Sequence, residues 1–179
     1  GREVGYAIIA VGTIGILIAI YKLIELAGVA KAVRSQANSK AADSRNPLGR
    51  VLKVGQDNFE KDIDTLELKL AEAIMAERPA IERWIGAVRI ISVVAPLAGL
   101  LGTVTGMIVT FQMITLYGTG DPKLMAGGIS QALVTTVLGL LVAIPTTLLH
   151  SFTASSARGI ISTLEEQSTG ILAEHSEAK

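Results

Sequence analysis

The chain has 179 residues, 50% of them hydrophobic, a mean hydropathy of +0.50 and a formal net charge of zero from 16 basic and 16 acidic side chains. With no cysteine it has no disulfide framework and no thiolate chemistry, its two histidines leave little for a metal site, and neither a cofactor nor nucleic acid is expected. These averages hide a blocked sequence. A bilayer core of about 30 Å needs roughly 20 apolar helical residues, and Val4 to Tyr21, Ile90 to Tyr117 and Leu124 to Ala157 each meet that demand.

The first span, assigned to 1–24, is extended by Lys22, whose apolar stem is expected to let its ammonium reach the headgroups, and by Leu23 and Ile24. A signal peptide carries its basic residues before the apolar run. Here Lys22, Lys31 and Arg34 follow it, so the segment is retained as an anchor. The start at Gly1, with no initiator Met, leaves a periplasmic extension upstream open.

Residues 25–89 read as a cytoplasmic helical region. One helix is expected to continue from Glu25 to about Ala42, ended by turn signals from Asp43 to Gly49 that include Asn46-Pro47. A second is expected from about Arg50 to Glu77, with Leu52, Phe59, Ile63, Leu66, Leu70, Ala73 and Met75 as its apolar side. Pro79 fits the first turn of a third, which would run through Trp84 and across the membrane to Tyr117. An apolar side on a protruding helix needs neighbours, and oligomerisation would supply them.

The second span (90–117) and the third (124–150) are joined by a short turn, 118–123, and followed by a helical tail, 151–179. Ile90 to Tyr117 and Leu124 to Ala157 contain no Asp, Glu, Lys or Arg; the one carboxylate between Arg83 and Leu164 is Asp121, in the turn. The loop from Glu25 to Arg89 holds eleven of the sixteen basic residues. Basic loops stay cytoplasmic, which places the N-terminus and the turn outside and the C-terminus inside. The fold class expected is an all-α polytopic membrane protein with three transmembrane helices extended by long cytoplasmic helices, assembled as an oligomer.

Small residues at spacings of three and four mark contact faces between membrane helices. Span two carries Ala95, Gly99, Gly102 and Gly106, and span three carries Gly128, Ala132, Thr135, Gly139 and Ala143. Packing of the hairpin within one chain competes with contacts between subunits as the reason. Thr103, Thr135 and Thr136 fall mid-span in antiparallel neighbours and are expected at comparable depth, beside Ser130 and Gln131. A membrane threonine often only bonds back to its own helix. Several hydroxyls at one depth favour a wet interior. Gln131 needs a helix or water as partner but cannot hold a proton. Pro96 and Pro145, inside the spans, are expected to kink them. His150 and His175 are expected to be simply solvated.

No zinc-peptidase helix motif, nucleophile elbow, phosphate loop or carboxylate pair is present, so an enzyme is not expected.

Ala95-Pro-Leu-Ala-Gly-Leu-Leu-Gly-Thr-Val-Thr-Gly106, together with Gly127-Gly-Ile-Ser-Gln-Ala-Leu-Val-Thr-Thr-Val-Leu-Gly-Leu-Leu-Val-Ala-Ile-Pro145, resembles the ExbB/TolQ/MotA proton-channel family, most closely its ExbB members. Asn46-Pro-Leu-Gly-Arg-Val-Leu52 is similar to that family too. The resemblance implies a homopentameric ring in the bacterial inner membrane around helices of a single-span ExbD-type partner, using the proton motive force to energise a TonB-type protein. It implies a pore-facing role for Thr103 and Thr136 near the partner's aspartate. This chain has Gln131 where many members have Glu, which puts a glutamate relay in doubt. With no acid of its own in these spans, the titrating carboxylate would belong to the partner. The alternatives are a TolQ-type role in envelope constriction, a flagellar-type stator, disfavoured by the count of three spans, and a non-conducting helical scaffold.

Overall fold

A computed structural model describes residues 2–179 as five helices, α1 (Arg2–Ala37), α2 (Pro47–Asp57), α3 (Ile63–Glu82), α4 (Ile85–Tyr117) and α5 (Pro122–Glu177), with no strand among the described residues. Helices α1, α4 and α5 are long and apolar enough to cross a membrane. The chain divides into two compact units, one formed by the residues up to Ile20 with Trp84–Ser151, the other by Tyr21–Arg83 with Phe152–Lys179.

The first unit is a three-helix assembly of α1, α4 and α5. Ile8, Ala95, Val142 and Ala143 form its buried apolar cluster, flanked by Val4, Ile91, Ala98 and Leu138. Small residues of α1 let the neighbours in. A Cβ on Gly15 would come within 2.9 Å of the Ile91 side chain, and one on Gly12 would collide with Val142. Gly5, Gly12, Gly15 and Ala19 share one buried stripe at helical spacing. The hairpin turn is closed by Gly118 (φ 75°), whose N–H bonds the Ile114 carbonyl at 2.8 Å. Pro96 and Pro145 lie inside α4 and α5, which remain helical through them.

The second unit differs from the sequence expectation in several places. Helix α1 ends at Ala37, short of Ala42. The stretch from Arg50 to Glu77 is two helices. Asn58 ends α2, its side-chain amide donating to the Val54 carbonyl at 2.7 Å, and Asp62 caps α3 by accepting from the Thr65 N–H at 2.9 Å. Asn and Asp compete with the helix ladder for backbone partners, and this pair does so within five positions. Upstream, Pro47 to Gly49 form the first turn of α2 rather than a loop. Asn46 is its N-cap, accepting from the Gly49 N–H at 2.7 Å. The buried Gln36 amide holds that turn, its oxygen accepting from the Asp43 N–H (2.9 Å) and from the Asn46 amide (3.2 Å).

Pro79 lies inside α3 rather than opening a new helix, and the break comes later, at Trp84 with φ 69°. Ala80 lies in the last turn of α3, where carbonyls take side-chain partners. Lys22 supplies one, its Nζ donating to Ala80 O at 3.0 Å with Glu25 at 3.6 Å. Lys22 is fully buried, so it does not reach the headgroups as expected; the helix end it caps is nearer than water. His175 is buried as well, not solvated: its Nε2 is 2.8 Å from Lys61 O and Phe59 meets the ring edge-on.

Leu66, Leu70, Ile74 and Ile81 are the buried side of α3, whereas Ile63 and Met75 are exposed. Val51 of α2 and Ala157, Ile160, Ile161 and Leu164 of α5 are buried in the same unit. Arg50 makes a two-pronged ion pair with Glu77, both contacts at 2.7 Å, tying α2 to α3. Leu66, Leu70, Ile74 and Ile81 of α3 are therefore covered within one chain, while Ile63, Leu68 and Met75 stay exposed.

Two outcomes follow from this geometry. A Cβ on Gly49 would overlap the Asp43 carbonyl, approaching its carbon to 2.5 Å, so Gly49→Ala should destabilise the second unit by about 1–3 kcal/mol, read as a lower melting temperature of the purified protein. The Thr65 N–H and hydroxyl hold the Asp62 carboxyl below the usual carboxylate range. A lowered folded pKa means stability that is complete above about pH 4 and lost as pH falls through the folded value. Asp62→Ala should therefore lower the melting temperature at pH 7 and have a shrinking effect as the pH drops below 4.

Candidate functional site

The α4–α5 hairpin brings the predicted polar residues to one level because its turn forces antiparallel neighbours. Contact between the two helices runs as a zipper of small residues. A Cβ on Gly99 would lie 2.8 Å from Thr135 O and 3.2 Å from Gly139 Cα, and one on Gly139 would lie 2.7 Å from Ala95 O. Toward the turn, Gly102 faces the Thr135 side chain, Gly106 faces Ala132, with 2.6 Å left for a Cβ, and Gly128 faces Thr110, with 2.5 Å. The backbones touch, and only hydrogen fits between them. Gly99, Gly102, Gly106, Gly128 and Gly139 all serve contact within this hairpin.

The close approach sets three hydroxyls around two carbonyls. Thr135 is buried and donates to Ala132 O at 2.7 Å, with Gly99 O at 3.2 Å. Thr103 lies 3.2 Å from both Gly99 O and Ala132 O, and its hydroxyl is in direct contact with that of Thr136. Thr136 reaches Gly99 O at 3.4 Å. Each hydroxyl has one proton to give. Thr103 therefore donates to a carbonyl when Thr136 donates to it, or to Thr136 when Thr136 turns to Gly99. The pair has two directional arrangements and is half-buried, leaving a side open to a third polar group. It can orient and pass a hydrogen bond. It cannot store a proton.

Gln131 stands apart from this cluster: it is exposed, while its neighbours Ala132 and Thr135 face α4. Gln112, not singled out in the sequence, is a second exposed amide in a spanning helix. Thr110 was also missed; it is buried, bonds Gly106 O at 2.9 Å and forms the last layer of the zipper before the turn. The signal for Thr110 was present, since it lies four residues beyond Gly106 on the same stripe. That for the α1 glycines lay in the spacing of Gly5, Gly12, Gly15 and Ala19. Among the described residues no group of three or more His, Cys, Asp or Glu could hold a metal ion.

The chain thus combines three membrane-length helices with a hairpin whose spans hold clustered hydroxyls and no acid. Residues 43–166 match the MotA/TolQ/ExbB proton channel family, and the chain belongs to that family. Its relatives include a putative biopolymer transport protein ExbB homolog of Methanothermobacter thermautotrophicus, 31% identical over 172 residues that cover 85% of this chain and 60% of that protein. The putative biopolymer transport protein ExbB-like 3 of Synechocystis sp. is 43% identical over 83 residues, 45% of this chain and 40% of that protein. The biopolymer transport protein ExbB of Aquifex aeolicus is 45% identical over 64 residues, 36% of this chain and 43% of that protein. The chain thus spans between 40% and 60% of the length of these three relatives.

The zipper is testable by itself. Gly139→Ala places a methyl against the Ala95 carbonyl and should loosen the hairpin by about 1–3 kcal/mol. Steric trapping or urea unfolding in detergent would measure the loss, and Gly159→Ala, where a Cβ meets nothing within 4 Å, is the control.

Proposed function

We propose that this chain is an ExbB-type energiser of the inner membrane. Several copies, five by the family resemblance, form a ring around single-span ExbD-type helices, and the assembly uses the proton motive force to drive a TonB-type protein and so transport across the outer membrane. The observation that carries this reading is the pairing of two charge-free hairpin spans with the Thr103, Thr135 and Thr136 cluster at mid-span. Coupling proton flow to motion requires a group that titrates within the membrane, and a carboxylate whose pKa is raised by a low dielectric is suited to it. The hairpin spans hold none. The partner's aspartate supplies the proton-binding group, and the Thr103–Thr136 pair offers it a hydrogen bond whose direction can reverse. Gln131, exposed on α5, can add an amide contact in the assembled path but no proton. Each proton that crosses gains about 2.3 kcal/mol per 100 mV, so opening an outer-membrane transporter draws on several.

The test is proton flux in liposomes holding this chain with its aspartate-bearing partner. Thr136→Val should reduce flux at least tenfold, and Thr103→Val should do likewise, while the hairpin remains folded because each substitution removes an interhelical bond worth only about 0.6–1.7 kcal/mol. Flux at the parental level in both variants would exclude the hydroxyl pair. Absence of any leak that depends on the partner and its Asp would point to a non-conducting scaffold.

A further inference from the structure

The zipper between α4 and α5 closes at Thr110 and Gly128, and beyond that layer the two helices part. The space between them is a crevice of about 550 Å³ walled by Val109, Met113, Ile114, Leu124 and Met125. Its floor is Thr110 with Gly128, and its mouth is the turn, where Gly118, Gly120 and Asp121 line it. Three features specify an occupant. From Val109 to Gly118 the helix rises about 14 Å, close to the roughly 15 Å thickness of one leaflet's hydrocarbon. The walls are almost wholly apolar, and Tyr117, exposed beside the mouth, is of the type that marks the headgroup level. The one ionic group lining the crevice is the Asp121 carboxylate, which already accepts the Lys123 N–H at 2.9 Å through one oxygen.

We propose that this crevice is a lipid site taking one acyl chain of an aminophospholipid from the leaflet on the turn side, with the lipid ammonium against the Asp121 carboxylate. The chain-length match comes from the closed floor: a Cβ on Gly128 would already press on Thr110 Oγ1 at 2.5 Å, so nothing thicker than hydrogen passes inward. Two flexible thioethers, Met113 and Met125, let the walls adapt to a chain that is not rigid. A lipid held there would wedge the outer turns of the hairpin apart without touching the hydroxyl cluster below, and the site does not depend on the energiser reading.

The experiment uses the intact chain in nanodiscs containing equal phosphatidylethanolamine, phosphatidylcholine and phosphatidylglycerol, transferred to mild detergent and weighed by native mass spectrometry. The expected result is one phospholipid retained per chain, with phosphatidylethanolamine favoured over phosphatidylcholine by about twofold to fivefold, the range open to a solvent-accessible ion pair. Asp121→Asn keeps an oxygen for the Lys123 N–H and removes only the charge; it should retain a lipid but abolish the preference. Val109→Trp puts an indole across the crevice and should weaken retention severalfold; circular dichroism confirms that the variant is folded. Retention unaffected by both substitutions, a preference for phosphatidylglycerol, or no lipid above the background of a lipid-free control would overturn the proposal. So would a residue-specific photo-cross-link from position 113 to a second copy in place of lipid.

Discussion

Backbone contact between α4 and α5 is the constraint on which the rest of this protein turns. In a bilayer there is no hydrophobic force between helices, so association relies on close packing and on hydrogen bonds that lipid cannot offer. Glycine at 99 and 139 brings Ala95, Gly99 and Thr135 backbone atoms within reach of the opposing helix. That closeness is what allows a short threonine side chain on one helix to address a carbonyl on the other. A single larger residue at the crossing would separate Thr103 from Thr136 and dissolve the cluster, even if every hydroxyl were kept.

The same contact explains how polar groups are tolerated mid-span. Thr135 and Thr146 are buried, and each returns its proton to a carbonyl of its own helix, at 2.7 Å in both cases. Thr103 and Thr136 differ because their hydroxyls meet each other across the interface and are only half-buried. The membrane price of a hydroxyl is met in the first case and left partly open in the second. This separates a structural threonine from one that can serve a passing group, which the residue type alone does not do.

Away from the hairpin, the second unit follows water-soluble rules. Helix ends are capped by side chains, by Asn46 and Asp62 at N-termini and by Lys22 at the end of α3. The buried amide of Gln36 and the imidazole of His175 each find backbone partners in loops that would otherwise hang from the helices. Ser168, four residues beyond Leu164 on α5, continues a buried stripe that is apolar at 157, 160, 161 and 164 and polar farther along. The unit is held by specific polar contacts as much as by apolar area.

How far the sequence reached depends on the range of the forces involved. Span number, the acid-free hairpin, its turn and the small-residue faces were legible, because a bilayer imposes long uniform runs and glycine spacing records a contact directly. So was the comparable depth of Thr103 and Thr136, since a short turn leaves antiparallel neighbours only one register range; their direct contact was not. The split of Arg50–Glu77 at Asn58 and Asp62 was local information overridden by an apolar periodicity that continued across it. Lys22 and His175 could not be read at all: a charged or titratable side chain near a helix end looks solvated until the fold supplies a nearer partner, here Ala80 O and Lys61 O. The sequence by itself determined which segments are long and apolar enough to cross a membrane and that the two hairpin spans carry no acid, because both follow from composition along one chain. Only the tertiary structure decided which polar groups are spent on packing and which keep a free side, because that depends on distances between residues far apart in sequence.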